Sequence, residues 1–229
     1  MFPRSSQGDG MFHVKNITAA GFALVVLLAS SAAIAQGDES EEAIRLREGG
    51  GDRVAGKEKS FLCQGCHGAD GISFEPVIPK LAGQYGKYIA KQIRDYQAGT
   101  RSHPIMNAMA ATVSDADLPD VAAYFASQAK MKGNGPIYNR LGEDIFLHGD
   151  TSKSRIACNG CHGVNGKGSG PKTSMYPVIG GQQKEYLRKQ LIDFRSGFRT
   201  NSPSGIMNTM AKLLTDAEID ALAEYVSAQ

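Results

Sequence analysis

A five-residue motif, Cys-x-x-Cys-His, occurs twice in this chain of 229 residues and uses all four of its cysteines. The first copy lies in FLCQGCHGADG, residues 61–71, and the second lies in IACNGCHGVNG, residues 156–166. Each copy places two thiols and an imidazole on one short segment at fixed spacing. If these groups act together, the local backbone conformation around each copy is restricted. Because the motif repeats with its flanks, we expect two domains of similar architecture.

The similarity between the two halves extends well beyond the motif. PKLAGQYGKYIAKQIRDYQAGTR (79–101) corresponds to PVIGGQQKEYLRKQLIDFRSGFR (177–199), and residues 104–128 correspond to 205–229. The offset between the copies grows from 95 to 98 to 101 residues, which requires two three-residue insertions. Residues shared by the two long segments include Pro79 and Pro177, Gly83 and Gly181, Gln84 and Gln182, Tyr88 and Tyr186, Lys91 and Lys189, Gln92 and Gln190, Asp95 and Asp193, and Gly99 and Gly197. The chain is a tandem duplication.

Periodicity and capping patterns predict an all-α fold. Helices are expected at six places: 84–98 and 182–196, after 114–117 and 215–218, and near 52–62 and 143–148. The first two have apolar residues at helical spacing and end at Gly99 and Gly197, and the next two follow capping-box patterns. No stretch alternates like a strand, and the chain has no tryptophan. Each domain is short of apolar residues for its length, so a buried cofactor would complete its core.

The N-terminal segment has the pattern of an export signal. Arg4 and Lys15 precede an apolar run, 17–35, that ends in the small-x-small sequence Ala-Ile-Ala. An uncleaved membrane anchor is the alternative, because the run approaches the roughly 20 residues that span a bilayer. The predicted divisions are a signal peptide at 1–35, an N-terminal extension at 36–50, a first domain at 51–130, a linker at 131–141 and a second domain at 142–229.

The histidine after each cysteine pair indicates what the thiols bind. Four cysteines in an exported protein suggest two disulfides, and two Cys-x-x-Cys pairs also suit a zinc site. Cys-x-x-Cys-His, however, is the attachment signature of c-type haem: two thiols add to the vinyl groups of the porphyrin, and the imidazole binds the iron. We therefore predict two covalently attached haem c groups, held by Cys63, Cys66 and His67, and by Cys158, Cys161 and His162.

A methionine-rich segment in each half supplies candidates for the sixth position on the iron. The sequence Ile-Met-Asn-x-Met places Met106 and Met109 in the first half, and Met207 and Met210 in the second. A thioether ligand favours ferrous iron and raises the reduction potential. For any single methionine, packing in the core is the alternative. His103 and His148 are both expected to be solvent-exposed or lightly packed, and ligation by two histidines through His103 is a further alternative in the first half.

These motifs together resemble the cytochrome c4 family of dihaem class I cytochromes c, over about residues 50–229. The resemblance rests on CQGCHGADG, PKLAGQ, IMNAMA and SDADL, repeated as CNGCHGVNG, YPVIGGQ, IMNTMA and TDAEI. It implies two cytochrome c domains, each wrapped around one haem, with Met106 and Met207 as the sixth ligands. It also implies that the carbonyls of Pro79 and Pro177 accept the ring N–H of the proximal histidines.

The charge of the chain argues against nucleic acid as a partner and is compatible with redox proteins as partners. The net charge is only +2, which disfavours binding to nucleic acid. Residues 38–130 have 11 basic and 13 acidic side chains, a net charge of −2, and residues 131–229 have 12 and 9, a net charge of +3. An ordinary solvated surface explains these values, but so does a dipolar molecule whose two ends bind different redox proteins.

The resemblance implies an electron carrier that is not itself an enzyme. We expect it in the periplasm, with attachment to the inner membrane as an alternative. Its expected donor is a quinol-oxidising cytochrome bc complex, and its expected acceptor is a haem-copper terminal oxidase. An alternative is the dihaem subunit of a periplasmic dehydrogenase, such as a sulfide-oxidising flavocytochrome c. A dihaem peroxidase, with an open sixth position on one iron, is the third possibility.

Overall fold

A computed structural model describes residues 40–133, 135, 138–170, 172 and 174–229. The predicted signal peptide at 1–35 lies outside these residues. Helices dominate the described part of the chain, and only a single isolated bridge, between Asp150 and Arg155, is extended pairing there. No helix within the described ranges is long and apolar enough to cross a bilayer. The predicted all-α class is confirmed.

The helices repeat in order between the two halves, which we call unit 1 (residues 40–130) and unit 2 (residues 131–229). Unit 1 contains α1 (Glu41–Glu48), α2 (Arg53–Lys59), α3 (Phe61–His67), α4 (Gly86–Gln97), α5 (Pro104–Ala111) and α6 (Leu118–Ser127). Unit 2 contains α7 (Arg140–His148), α8 (Asn159–His162), α9 (Lys184–Ser196), α10 (Ile206–Lys212) and α11 (Asp216–Ser227). All six predicted helices are present. The one expected near 52–62 is divided at Ser60 into α2 and α3.

The helix α1 was not expected, because residues 36–50 have no clear apolar periodicity. Its first turn is capped by Ser40, whose Oγ accepts from the Ala43 N–H at 3.2 Å. The helix attaches to unit 1 through Arg47, which is 3% exposed and donates from Nε to the Ala126 carbonyl at the end of α6, at 2.6 Å. A long-range contact to a backbone carbonyl leaves no periodic signal in the sequence.

Each unit contains a close crossing between the helix that precedes its cysteine motif and its last helix. In unit 1, a Cβ added to Gly56 of α2 would lie 1.9 Å from the Asp120 carbonyl oxygen of α6. In unit 2, a Cβ on Gly142 of α7 would lie 2.2 Å from the Ala221 carbonyl oxygen of α11. Only glycine allows this approach. The cores beside the crossings contain Ile89, Val121, Tyr124 and Phe125 in unit 1, and Ile145, Phe146, Ile219, Leu222 and Val226 in unit 2.

The two capping-box patterns fold differently. In unit 2 the box is complete: the Glu218 N–H donates to Thr215 Oγ1 at 3.2 Å, and the Thr215 N–H donates to Glu218 Oε2 at 2.8 Å. In unit 1 the carboxylate of Asp117 instead accepts from the Ser114 hydroxyl at 2.6 Å and pairs with Lys59 at 2.8 Å. Residues 115–117 form a turn, and α6 begins at Leu118, directly after the pattern as predicted.

Glu218 gives unit 2 a stability that depends on pH. Burial alone would raise its pKa, but hydrogen bonds from the Thr215 N–H, Lys153 and Arg155 lower the pKa from 4.5 to about 2. A lowered pKa stabilises the folded state above about pH 4.5, and this contribution is lost as the pH falls toward 2. We expect Glu218→Gln to cost about 1 kcal/mol at pH 7, after allowance for solvent near the helix end.

Unfolding of the haem-loaded protein, followed at several pH values, tests this expectation. The difference between Glu218→Gln and wild type should shrink between pH 4.5 and pH 2. Asp220→Asn is the matched control, because Asp220 is an exposed carboxylate on the same helix, paired with Arg188. A deficit of Glu218→Gln that stayed constant across this range would contradict the assigned role.

Candidate functional site

Both cysteine motifs lie on short helices that end at the histidine. Cys63 and Cys66 are one turn apart on α3, whose last residue is His67. The glycine after each motif turns the chain sharply: Gly68 has φ of +87°, and a Cβ there would lie 2.4 Å from the Ile72 carbonyl oxygen. Gly163 in unit 2 has φ of +78° and the same close approach, at 2.2 Å, to the Gly168 carbonyl oxygen. The loop that follows each histidine can therefore fold back under it.

Each motif histidine is buried and held by a proline carbonyl. His67 Nδ1 lies 2.8 Å from the Pro79 oxygen, and His162 Nδ1 lies 2.9 Å from the Pro177 oxygen. Because a carbonyl oxygen only accepts, Nδ1 carries the hydrogen, and Nε2 keeps the lone pair that binds a metal. Burial lowers the pKa of both imidazoles, which favours this neutral form. The bonds to proline expected from the family resemblance are confirmed.

A cavity of about 620 Å³ extends along both units beside these histidines. Its mostly apolar lining includes all four cysteines, both motif histidines, Met106, Met207 and Met210. None of the cysteines forms a disulfide, and the described residues contain no cluster of three or more His, Cys, Asp or Glu side chains suited to a metal ion. Burial raises the pKa of the Cys158 thiol to about 11, so it is neutral at pH 7.

The methionine segments form short helices of their own, between the two long helices of each unit. Met106 is the third residue of α5, and Met207 is the second residue of α10. The asparagine after each methionine anchors its helix. Asn107 Nδ2 donates to the carbonyls of Tyr96 and Arg101, at 2.6 and 3.2 Å. Met109 is not among the residues that line the cavity, although Met210 in unit 2 is.

The equivalent asparagine in unit 2, Asn208, makes the same pair of bonds. Its Nδ2 donates to the carbonyls of Phe194 and Arg199, at 2.8 and 2.7 Å. Sequence analysis missed both asparagines, even though they lie directly after the candidate methionines in both copies. Their repetition was the available signal. They fix the start of α5 and α10 against the preceding helix, and so they fix the position of each methionine.

Two arginines from different units meet inside the cavity. Gln92 Oε1 accepts from Arg101 at 2.7 Å and from Arg199 at 3.0 Å, and Gln190 Oε1 accepts from the same two side chains at 3.0 and 2.7 Å. Both arginines are buried, at 8% and 6% exposure, and within the described ranges neither forms an ion pair. Two buried cations whose shared acceptors are neutral amides favour an anion beside them. The carboxylates of haem propionates have the chemistry that this arrangement lacks.

Tyrosines of opposite units complete this polar cluster. Arg101 donates to Tyr186 Oη, and Arg199 donates to Tyr88 Oη, each at 3.0 Å. Burial would raise the pKa of Tyr186, but the two guanidinium groups lower it. Sequence analysis paired the tyrosines and glutamines between the halves but did not recognise the arginines at 101 and 199 as site residues. The arginines come together because the two units are in contact, and a repeat in the sequence does not show which residues will form that contact.

Among the described residues, the two histidines outside the motifs, His103 and His148, are exposed as expected. His103 lies before α5, and its Nδ1 accepts from the Met106 N–H at 3.4 Å. Its position therefore caps the helix that carries the methionine. His148 ends α7 on the surface.

Comparisons with known proteins agree with this geometry. The family model "Cytochrome c" matches the chain twice, at residues 53–129 and 142–229. The chain is 42% identical to cytochrome c4 of Pseudomonas aeruginosa, over 79% of this chain and 90% of that protein. It is 34% identical to a thiosulfate dehydrogenase electron acceptor of Stutzerimonas stutzeri, over 72% of this chain and 78% of that protein. The crystal structure of reduced recombinant cytochrome c4 from Pseudomonas stutzeri matches with a TM-score of 0.73 and 39% identity, over 78% of this chain and 99% of that one.

Proposed function

Because this chain belongs to the cytochrome c4 family, we propose that it carries electrons between a cytochrome bc complex and a terminal haem-copper oxidase in the periplasm of a bacterium. The coarser function follows from the family: it is a dihaem electron-transfer cytochrome with two covalently attached haem c groups. The donor and acceptor are the proposed part. The two buried arginines that share glutamine acceptors across the units support electron passage between the two haem sites, since they supply a cationic junction there.

The proposed ligands follow from the lining of the cavity and from the two histidine bonds. In unit 1, Cys63 and Cys66 form the thioethers, His67 is the proximal ligand and Met106 is the sixth ligand. In unit 2, the same roles belong to Cys158 and Cys161, His162 and Met207. Support comes from the hydrogen on Nδ1 of each histidine, which leaves Nε2 for iron, and from the presence of both methionines in the cavity lining.

Side chains and backbone groups of the protein then determine the reduction potential and the charge balance of each haem site. Haem supplies reversible one-electron chemistry at its iron. The thioethers of Met106 and Met207 favour the reduced state, and the bond from each histidine to a proline carbonyl raises the basicity of the ring and opposes this preference. Arg101 and Arg199 would balance the negative charge of haem propionates. The mostly apolar lining would limit the water around each iron, so little would have to reorganise when its charge changes.

We expect the reduced protein to be reoxidised by membranes that contain a haem-copper oxidase, and the oxidised protein to be reduced by quinol through a cytochrome bc complex. The net charges of residues 38–130 and 131–229 differ in sign, so both rates should fall as salt is added. Stopped-flow spectroscopy at the haem absorption bands measures each rate. Specific inhibitors of the two complexes provide the control. Rates of reduction and reoxidation that did not change when the two inhibitors were added would contradict the proposed partners.

A second candidate is an electron acceptor for a periplasmic dehydrogenase. It is favoured by the relatives named thiosulfate dehydrogenase electron acceptor, from Stutzerimonas stutzeri and Thiomonas intermedia, which are each 34% identical to this chain. Reduction by such a dehydrogenase and its substrate, faster than reduction by quinol and the bc complex, would support this alternative. A chain that purifies together with a flavoprotein would indicate the flavocytochrome arrangement instead.

The periplasmic location rests on the export pattern at 1–35, because haem attachment to c-type cytochromes follows export in bacteria of this kind. We propose cleavage after Ala35. N-terminal sequencing of the exported protein is expected to begin at Gln36. A sequence that began at Met1 would support a retained membrane anchor.

A further inference from the structure

Two glutamines that correspond in the repeat are buried where the units meet. Neither is one of the residues proposed to attach haem or bind its iron. Gln84 and Gln182 are each 5% exposed. They occupy the same position in the two copies of the repeat, five residues after the proline that holds the motif histidine. A buried amide needs partners for its oxygen and its nitrogen. Both glutamines find those partners in the opposite unit.

Gln84 of unit 1 bonds to both sides of one residue in unit 2. Its Nε2 donates to the Val178 carbonyl at 2.8 Å, and its Oε1 accepts from the Val178 N–H at 2.9 Å. That N–H belongs to the same peptide group as the Pro177 carbonyl, which accepts from His162 Nδ1 at 2.9 Å. The ring of His162, one peptide group and Gln84 therefore form a continuous chain of hydrogen bonds.

Gln182 of unit 2 makes the mirror-image contact with unit 1. Its Oε1 accepts from the Lys80 N–H at 2.8 Å, and its Nε2 donates to the Lys80 carbonyl at 2.8 Å. The Lys80 N–H shares a peptide group with the Pro79 carbonyl, which accepts from His67 Nδ1 at 2.8 Å. The pattern is thus reciprocal. Gln84 of unit 1 supports His162 of unit 2, and Gln182 of unit 2 supports His67 of unit 1.

Hydrogen bonds in such a chain polarise one another. A peptide group whose N–H is donated to an oxygen becomes a stronger acceptor at its carbonyl. The carbonyl then draws more strongly on the Nδ1 hydrogen, and the imidazole becomes a more basic ligand at Nε2. A more basic ligand stabilises ferric iron, so the bond lowers the reduction potential. Removing the glutamine should weaken the histidine's bond and raise the potential.

We propose that Gln84 and Gln182 are reciprocal positioning residues, each setting the orientation and basicity of the proximal histidine of the haem in the other unit. The proposal rests on the proposed ligand roles of His67 and His162. It means that neither haem site is complete within its own unit. The potential of each haem then depends on an intact contact between the units, because the supporting amide is delivered across it.

The test is Gln84→Met in the full-length, haem-loaded protein. Methionine has a similar length but offers no amide. The readouts are the hydrogen-exchange rate of each histidine Nδ1–H, measured by NMR in the diamagnetic reduced protein, and the potential of each haem, followed through its assigned haem methyl signals. We expect exchange at His162 to accelerate at least tenfold and the potential of the haem in unit 2 to rise, with His67 unchanged. Gln182→Met should give the same pair of changes at His67 and the haem of unit 1.

Gln128→Met is the matched control. Gln128 directly follows α6, and its Nε2 donates at 3.0 Å to the Tyr124 carbonyl of that helix, in the same unit, so its loss should leave both histidines unchanged. Changes in the Gln84 variant that fell on His67, on both histidines equally or on neither would overturn the proposal, since a merely structural amide at the interface predicts no such selectivity.

Two further measurements separate the possible failures. If Gln84→Met does not load two haems, Gln84→Glu replaces it, because a carboxylate accepts from the Val178 N–H but cannot donate to the Val178 carbonyl. Its effect should again be confined to His162 and the haem of unit 2, and an effect elsewhere would overturn the proposal. The wild-type spectrum tests the ligand assignment independently. Absence of signals from two iron-bound histidines would defeat the proposed ligation itself, whereas their presence with unselective variants would defeat only the role of the glutamines.

Discussion

Replacing Met106 with alanine is expected to lower the potential of the haem in unit 1 by on the order of 0.1 V or more, within the roughly 0.8 V range that axial ligands span. The physical reason is the loss of a soft thioether that favours ferrous iron. The vacated position should also let the ferrous iron bind carbon monoxide. Visible spectra during a redox titration, followed by addition of carbon monoxide, measure both effects, and only one of the two haems should change.

Met109→Ala is the matched control in unit 1. Met109 lies one turn further along α5 and is not among the residues that line the cavity, so its loss should leave the spectrum intact. Unit 2 is the stricter test, because Met207 and Met210 both line the cavity. Met207→Ala should change the haem of unit 2 alone. If Met210→Ala produced the ligand-loss spectrum and Met207→Ala did not, the assignment in unit 2 would be wrong.

The double variant Cys158→Ala with Cys161→Ala should lose the covalent haem of unit 2 and with it the folding of that unit. Without its haem, the mostly apolar lining of that half of the cavity would be exposed to water, which removes much of the hydrophobic stabilisation of the unit. The loss should unfold it, because the whole stability of a typical domain is only about 5–15 kcal/mol. Intact mass after extraction with acid and acetone should show one bound haem, against two in the wild type.

Cys63→Ala with Cys66→Ala is the reciprocal variant and should retain the haem of unit 2. A decrease in helical circular dichroism should accompany each loss. A wild-type mass equal to that of the bare chain would contradict covalent attachment. So would a double variant that kept both haems through extraction.

Much of the haem site was predictable because its parts are close together in sequence. Cys-x-x-Cys-His fixes two thiols and an imidazole on one turn, so it identified Cys63, Cys66 and His67 without any knowledge of the fold. The same local logic predicted the long helices and the glycines that follow them. The repeat strengthened each inference, because a pattern that occurs twice at corresponding positions rarely arises by chance.

The remaining site residues act through contacts that sequence spacing does not encode. Arg101 and Arg199 meet only because the two units pack face to face, and each donates to a tyrosine of the opposite unit. Gln84 was visible as a matched residue, but its partner, Val178, is 94 positions away. Asn107 lies beside the candidate methionine, yet its function depends on where α4 ends.

One local pattern was only partly predictive. The pattern at 114–117 reads as a capping box, but the Asp117 carboxylate binds Lys59 and the Ser114 hydroxyl, and the box does not close. The matching pattern at 215–218 closes fully, although Lys153 and Arg155 also bind the Glu218 carboxylate. A nearby cation therefore does not decide the outcome; glutamate has one methylene more than aspartate and can reach back to the N-cap N–H.

That the protein carries electrons through two six-coordinate haems is tested most directly by a spectroelectrochemical titration of the haem-loaded wild type under carbon monoxide. We predict that each chain takes up two electrons in reversible one-electron steps, that both irons stay low-spin in both oxidation states, and that neither ferrous iron binds carbon monoxide. Uptake of a single electron, or a high-spin iron that binds carbon monoxide, would contradict this function and would favour a haem with an open position for chemistry on a ligand.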